Sequence, residues 1–153
     1  MNSTSVYVLD THALVWFLKR DRPIGVTALK ILLSRSARLV VPIYVFDEIR
    51  MKSLGNTSSY KPDRIGIPPA TALRVIARAS NIKSFPKSPA VLFEEERLRR
   101  EVRFRKVLLD AQDIPICATA LAIQKALSPH SQTYIMSKDT RIRNWKRVPI
   151  IWA

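Results

Sequence analysis

Cysteine is nearly absent: Cys117 stands alone among 153 residues. No intramolecular disulfide can form and no cysteine pair has zinc-ligand spacing, which excludes a disulfide scaffold or zinc ribbon and fits a reducing, cytoplasmic setting. Long hydrophobic runs are lacking too. Asp10 and His12 interrupt the apolar stretch that ends in Ala13-Leu-Val-Trp-Phe-Leu18, and no basic segment precedes it. Neither a secretory leader nor a membrane-spanning helix is therefore expected. Internal repeats and low-complexity tracts are missing as well. With 47% hydrophobic and 25% charged side chains, the composition is that of one globular domain over 1–153, able to remove roughly 68–70% of its unfolded surface from water.

Negative charge is the remaining scarcity. Twelve Asp and Glu stand against 26 Lys and Arg, a net charge of +14. A field of that sign favours polyanions, either nucleic acid or an acidic protein partner. A membrane surface ranks behind them, because no long basic amphipathic anchor is present.

What is present alternates. Ser5-Val-Tyr-Val-Leu9 is apolar and rich in β-branched and aromatic residues, and Asp10-Thr11 separates it from a helix-period segment, so strand, turn and helix follow in order. A helix is expected over 26–34, a strand at Arg38-Leu-Val-Val-Pro42, and an amphipathic helix over 43–53 that Gly55 and Asn56 end. Residues 54–69 carry prolines and glycines and read as an exposed connection, a candidate flap. A helix over 70–80 and a strand over 82–85 come next. Pro89 opens a helix toward Lys106, with acids first and arginines after, an order that complements the helix dipole. Asp113-Ile-Pro115 leads into an apolar helix buried on most sides. Strands at 133–136 and 148–152 complete the chain, the last at an edge because of Pro149. The class is α/β: a three-layer sandwich with a central, mainly parallel five-stranded sheet flanked by helices.

In an open parallel sheet, ligands bind beyond the carboxyl ends of the strands, where strand order reverses. Asp10 follows the first strand, Asp139 the fourth, Glu48 lies early in the helix after the second, and Asp113 begins the helix leading to the fourth. Four acids on one edge raise each other's pKa unless something positive binds among them. A hard divalent cation, Mg²⁺ or Mn²⁺, suits carboxylates without thiolate or imidazole neighbours. Such a metal can activate water and neutralise charge on a phosphodiester. Each acid also has a bland reading. Asp113 before Ile-Pro is a good N-cap, and taken alone that reading leads. Glu48 can pair with Lys52, and Asp139 suits a turn. Asp10, at the end of a buried strand, is hardest to dismiss.

Leu9-Asp-Thr-His-Ala-Leu-Val-Trp-Phe-Leu18, Phe46-Asp-Glu48-Ile, Asp110-Ala-Gln-Asp113 with Ala118-Thr-Ala, and Ile135-Met-Ser-Lys-Asp139 together resemble the PIN-domain ribonucleases, most closely the VapC-type toxins of toxin–antitoxin pairs. The resemblance spans nearly the whole chain. It implies that Asp10, Glu48, Asp113 and Asp139 are catalytic and metal-binding acids, that Thr11 and Ser137 support them, and that Asp110 is a companion acid. It also implies Mg²⁺- or Mn²⁺-dependent cleavage of RNA, a homodimer and inhibition by a cognate antitoxin. Where the family usually has arginine after the third acid, Ile114-Pro115 stands here, a change expected to bear on the helix start and on the aim of Asp113.

Lys138, Arg141, Arg143, Lys146 and Arg147 crowd around Asp139 with Trp145 among them, a track for RNA backbone with one stacking surface, or else a solvated strand-edge loop with a core tryptophan. Glu95 with Arg99, Glu96 with Arg100 and Glu101 with Arg105 are i,i+4 pairs that account for their helix without RNA. His12 reads as a core or supporting histidine and Cys117 as a small core residue. The function expected is a metal-dependent endoribonuclease toxin. Alternatives are a PIN nuclease in RNA maturation and a non-catalytic basic nucleic-acid-binding domain; a phosphoacceptor receiver domain ranks last.

Overall fold

The structure, a computed structural model, describes residues 4–20, 23–54 and 69–153. Five strands, β1 (Ser5–Leu9), β2 (Arg38–Pro42), β3 (Ile82–Phe85), β4 (Gln132–Ser137) and β5 (Ile150–Trp152), form one sheet in the order β3-β2-β1-β4-β5. Every pairing is parallel. Strand order therefore reverses between β1 and β4, and β5 lies at an edge as Pro149 implied.

Period-two alternation assigns each strand residue to a face. Val6 and Val8 of β1 and Ile135 of β4 enter one core, while Leu9 and Met136 enter the other with Leu39 and Val41 of β2. Tyr7 and Tyr134 face each other in register and stack at 5.4 Å. On the Leu9 side lie α1 (Thr11–Lys19), α2 (Val26–Leu33), α3 (Ile43–Leu54) and α4 (Pro69–Arg78). On the Val8 side lie α5 (Pro89–Arg103), α6 (Ile114–Ala126) and the short α7 (Thr140–Trp145). Both sheet faces are covered, as an all-parallel sheet requires. Helix α6 is buried on most sides, with Ile114, Ile116, Cys117 and Ala118 sealed from water. Each such large apolar side chain contributes roughly 1.5–3 kcal/mol.

Several boundaries differ from the expected ones. Helix α5 is capped by the Ser88 hydroxyl, which accepts the Val91 N–H at 3.3 Å, but it stops at Arg103 rather than running to Lys106. Arg105 takes a left-handed φ of 56°. Its N–H donates to the Val102 carbonyl at 3.0 Å and that of Lys106 to Glu101 at 2.9 Å, the Schellman closure. The stretch after Asp139, weighed as a strand-edge loop, is helix α7. Among the expected ion pairs, Glu96–Arg100 is present at 3.0 Å. Glu101 instead reaches Arg147 at 2.8 Å and Arg97 at 3.9 Å, and buried Glu95 takes Tyr44 and Lys87. The connection expected over 54–69 lies, for residues 55–68, outside the described residues. No helix among the described residues is long and apolar enough to cross a membrane.

Candidate active site

The reversal of strand order puts the ends of β1 and β4 side by side, and the acids follow from that. Strand pairing continues one residue past β1, since the Asp10 N–H donates to the Met136 carbonyl at 3.1 Å. Asp10 then caps α1, its Oδ1 accepting the Ala13 N–H at 2.9 Å. Helix and strand hold it at 8% exposure. Burial pushes its pKa from 3.8 to about 6, the Glu48 charge adds to the rise, and hydrogen bonds from the Ser137 hydroxyl and the Ala13 and Lys138 N–H groups pull it back. The fully buried Ser137 also accepts the Asp139 N–H at 3.0 Å. Asp139 in turn caps α7, its Oδ1 accepting from the Arg141 and Ile142 N–H groups at 2.7 and 3.3 Å. Glu48 comes from α3 and accepts a hydrogen bond from the Thr11 hydroxyl.

Asp113 departs from the capping expectation. It occupies the N-cap position of α6 but in helical backbone conformation, φ −86° and ψ −22°, and its side chain makes no capping bond. Its Oδ2 is buried with no hydrogen-bond partner. Burial, then the charges of Asp139, Asp110 and Asp10, push its pKa to about 7. Asp10 thus feels Glu48, and Asp113 feels both Asp10 and Asp139, so the structure brings the four acids into one electrostatic group, with Thr11 and Ser137 bonded within it.

Charge pairing separates Asp10, Asp113 and Asp139 from acids elsewhere in the chain. Among the described residues, Asp47, Glu94, Glu95, Glu96, Glu101 and Asp110 each stand within ion-pair distance of a Lys or Arg. Asp10, Asp113 and Asp139 do not. Arg141 illustrates the point: its N–H caps Asp139, yet its guanidinium goes to Asp110. Hard oxygen donors, mutual charge raised by burial and one orphaned carboxylate oxygen fit a hard cation. As the side chains stand, no group of three His, Cys, Asp or Glu among the described residues is arranged to hold a metal ion, so closure round one would require side-chain rotation.

The basic residues are exposed around this edge. Lys138 lies between Ser137 and Asp139, and Lys146 ends α7 in a left-handed conformation, φ 62°. Arg143 lies over the Trp152 ring, 5.0 Å from its centroid. Trp145, weighed as a stacking surface, packs against the core instead, and Trp152 is the exposed ring. His12 is half-buried on α1, and Cys117 is a core residue. Tyr44, one helical turn before Glu48, went unnoticed in the sequence; its hydroxyl donates to the buried Glu95. The four-residue spacing on one helix was its only signal.

A family model, the PIN domain, matches residues 7–148. The chain belongs to the PIN domain family. Its fold is shared with solved structures of low sequence identity. A chain of the VapBC2 structure from Rickettsia felis, bound to a DNA fragment from their promoter, superposes with a TM-score of 0.62 at 16% identity, covering 95% of this chain and 97% of that one. VapBC-1 from nontypeable Haemophilus influenzae gives 0.61 at 13%, with 95% and 96% covered. VapBC-5 from Mycobacterium tuberculosis, described as a member of a family of toxin-antitoxin systems, gives 0.59 at 16%, with 97% and 98% covered. No curated protein matches the chain in sequence. In this PIN domain the sheet runs parallel through five strands.

Proposed function

We propose that this PIN domain is a metal-dependent endoribonuclease and the toxin of a toxin–antitoxin pair. The observation that carries the reading is that Asp10, Asp113 and Asp139 lie at the strand-order reversal without a cationic side-chain partner, in a chain of net charge +14. Asp10, Glu48, Asp113 and Asp139 would hold Mg²⁺ or Mn²⁺, which when bound supplies a nucleophilic water and neutralises charge on the phosphodiester. The protein's own residues do the rest. Ser137 and Thr11 orient Asp10 and Glu48, burial keeps bulk water from the Asp10 carboxylate, and Lys138, Arg141, Arg143 and Lys146 attract the RNA backbone. The TA assignment is supported by the VapBC fold neighbours, and it brings with it a cognate antitoxin and a homodimer as partners.

The test is cleavage of single-stranded and structured RNA by the purified protein with Mg²⁺, Mn²⁺ or excess EDTA, beside Asp10→Asn. Cleavage that needs the metal and falls at least about 100-fold in the variant is expected. Full activity in EDTA or in the variant refutes the mechanism. Salt-sensitive RNA binding with no cleavage under any metal would leave a basic nucleic-acid-binding domain. A small reading frame beside the gene whose product silences the nuclease separates a toxin from an RNA-maturation enzyme.

A further inference from the structure

A cleft of about 360 Å³ opens directly beside Glu48, between α3 and the start of α6. Its walls include Tyr44, Met51, Pro115 and Ile116, with Asp47 and Gln112 among its polar groups. Volume and lining are those of a small-ligand site, mostly apolar with a few polar groups. Among the described residues no Lys or Arg lines it, so these walls offer no cation to a phosphate. A nucleobase has the opposite requirements: flat apolar faces, and donors and acceptors along its edges. Gln112 supplies both an amide donor and an acceptor, and Asp47 supplies acceptors.

The wall is fixed before anything binds. The Tyr44 hydroxyl is committed to Glu95, which is 4% exposed, and the Lys87 ammonium sits 4.9 Å from the Tyr44 ring centroid and 3.9 Å from the Glu95 carboxylate. Tyr44 therefore presents its ring rather than its hydroxyl as the usable surface. Position links the cleft to the acids twice over. Glu48 is part of its lining, and Gln112 immediately precedes Asp113. A base lodged here belongs to a nucleotide whose phosphate reaches the carboxylate group.

We propose that this cleft is a specificity subsite that takes one unstacked nucleobase of the RNA beside the bond that is cut; this rests on the nuclease reading above. Two measurements test it. In the first, the full chain with Mn²⁺ digests RNA randomised in sequence and the product ends are read. A base preference at one position beside the cut is expected, and Gln112→Ala and Asp47→Asn should each lower that preference about tenfold, scored as a ratio among cuts. In the second, RNA containing 4-thiouridine is photocrosslinked to the protein in EDTA, with crosslinks expected at Tyr44 or Met51. Cleavage with no positional preference, or with one unchanged in both variants, overturns the subsite and leaves the nuclease standing. Crosslinks at Tyr44 or Met51 without cleavage under any metal support the base site and refute the nuclease. Crosslinks confined to other residues overturn the subsite whether or not the RNA is cut.

Discussion

Without metal, this protein should become less stable as pH rises, and Asp10 should account for much of the loss. An unfolded chain holds the Asp10 proton only below about 3.8, whereas the folded protein keeps it up to about 6. Below the lower value both states are protonated and nothing is lost. Between the two, the folded state binds more protons than the unfolded state, so stability falls with rising pH. Above the higher value the full cost of a buried anion is felt, roughly 3 kcal/mol. Asp113, raised to about 7, acts in the same direction. Being half-buried, it is screened by solvent, to about 2 kcal/mol, and since the two acids interact the figures do not simply add.

Asp10→Asn removes the charge and keeps an oxygen for the Ala13 N–H. In EDTA at alkaline pH the variant should unfold about 2–3 kcal/mol later than the parent in urea, and roughly 5–10 °C higher on heating. Near pH 4 the two should coincide. Mn²⁺ should invert the order: at about 1,000 times its dissociation constant it stabilises the parent by about 4.1 kcal/mol, more than the variant's lead, and the variant by far less. If Asp10→Asn is less stable than the parent at alkaline pH, or differs from it equally at all pH values, the carboxylate is an ordinary helix cap and the reasoning fails.

Gly25→Ala should cost about 1–3 kcal/mol in urea unfolding, because a Cβ there would meet the Trp152 carbonyl oxygen at 2.5 Å, and that oxygen is backbone. Lys125→Met should cost about 3 kcal/mol, since it strands the Glu94 carboxylate, 3% exposed and with one oxygen already unpartnered; adding Glu94→Gln should recover most of the loss. Arg105→Gly should raise stability by about 0.5–1 kcal/mol, because glycine adopts the left-handed φ of 56° without the Cβ penalty.

The sheet and the position of the acids were legible because both depend on local pattern. Leu9 and Met136 end apolar runs of the right length, and an acid following each run can only fall at the carboxyl edge of a parallel sheet. What the sequence withheld was settled by contacts across long separations or by unmarked backbone. Arginine does not announce a left-handed residue, so the end of α5 at Arg103 was invisible. Glu95 and Arg99 have the spacing of a surface pair, but tertiary packing buries Glu95 and gives it to Tyr44, 51 residues away. Asp113 looked most like a cap because the sequence shows Asp-Ile-Pro but not the helical backbone that turns its carboxylate from the α6 N–H groups.

That failed cap bears directly on function. An acid at an N-cap ordinarily satisfies its helix and is stabilised by it, by about 1 kcal/mol; Asp139 does so for α7 and Asp10 for α1. Asp113 forgoes that bond, keeps a buried oxygen without a partner, and sits among three carboxylates that raise its pKa. Six other described acids have found a Lys or Arg, so cations are not in short supply. Arg141, two residues after Asp139, is itself tied to Asp110. A carboxylate left uncompensated while surplus cations stand in solvent is the group that a small, doubly charged, oxygen-seeking cation would stabilise, and the Mg²⁺ or Mn²⁺ proposed above would do so once the side chains rotate round it.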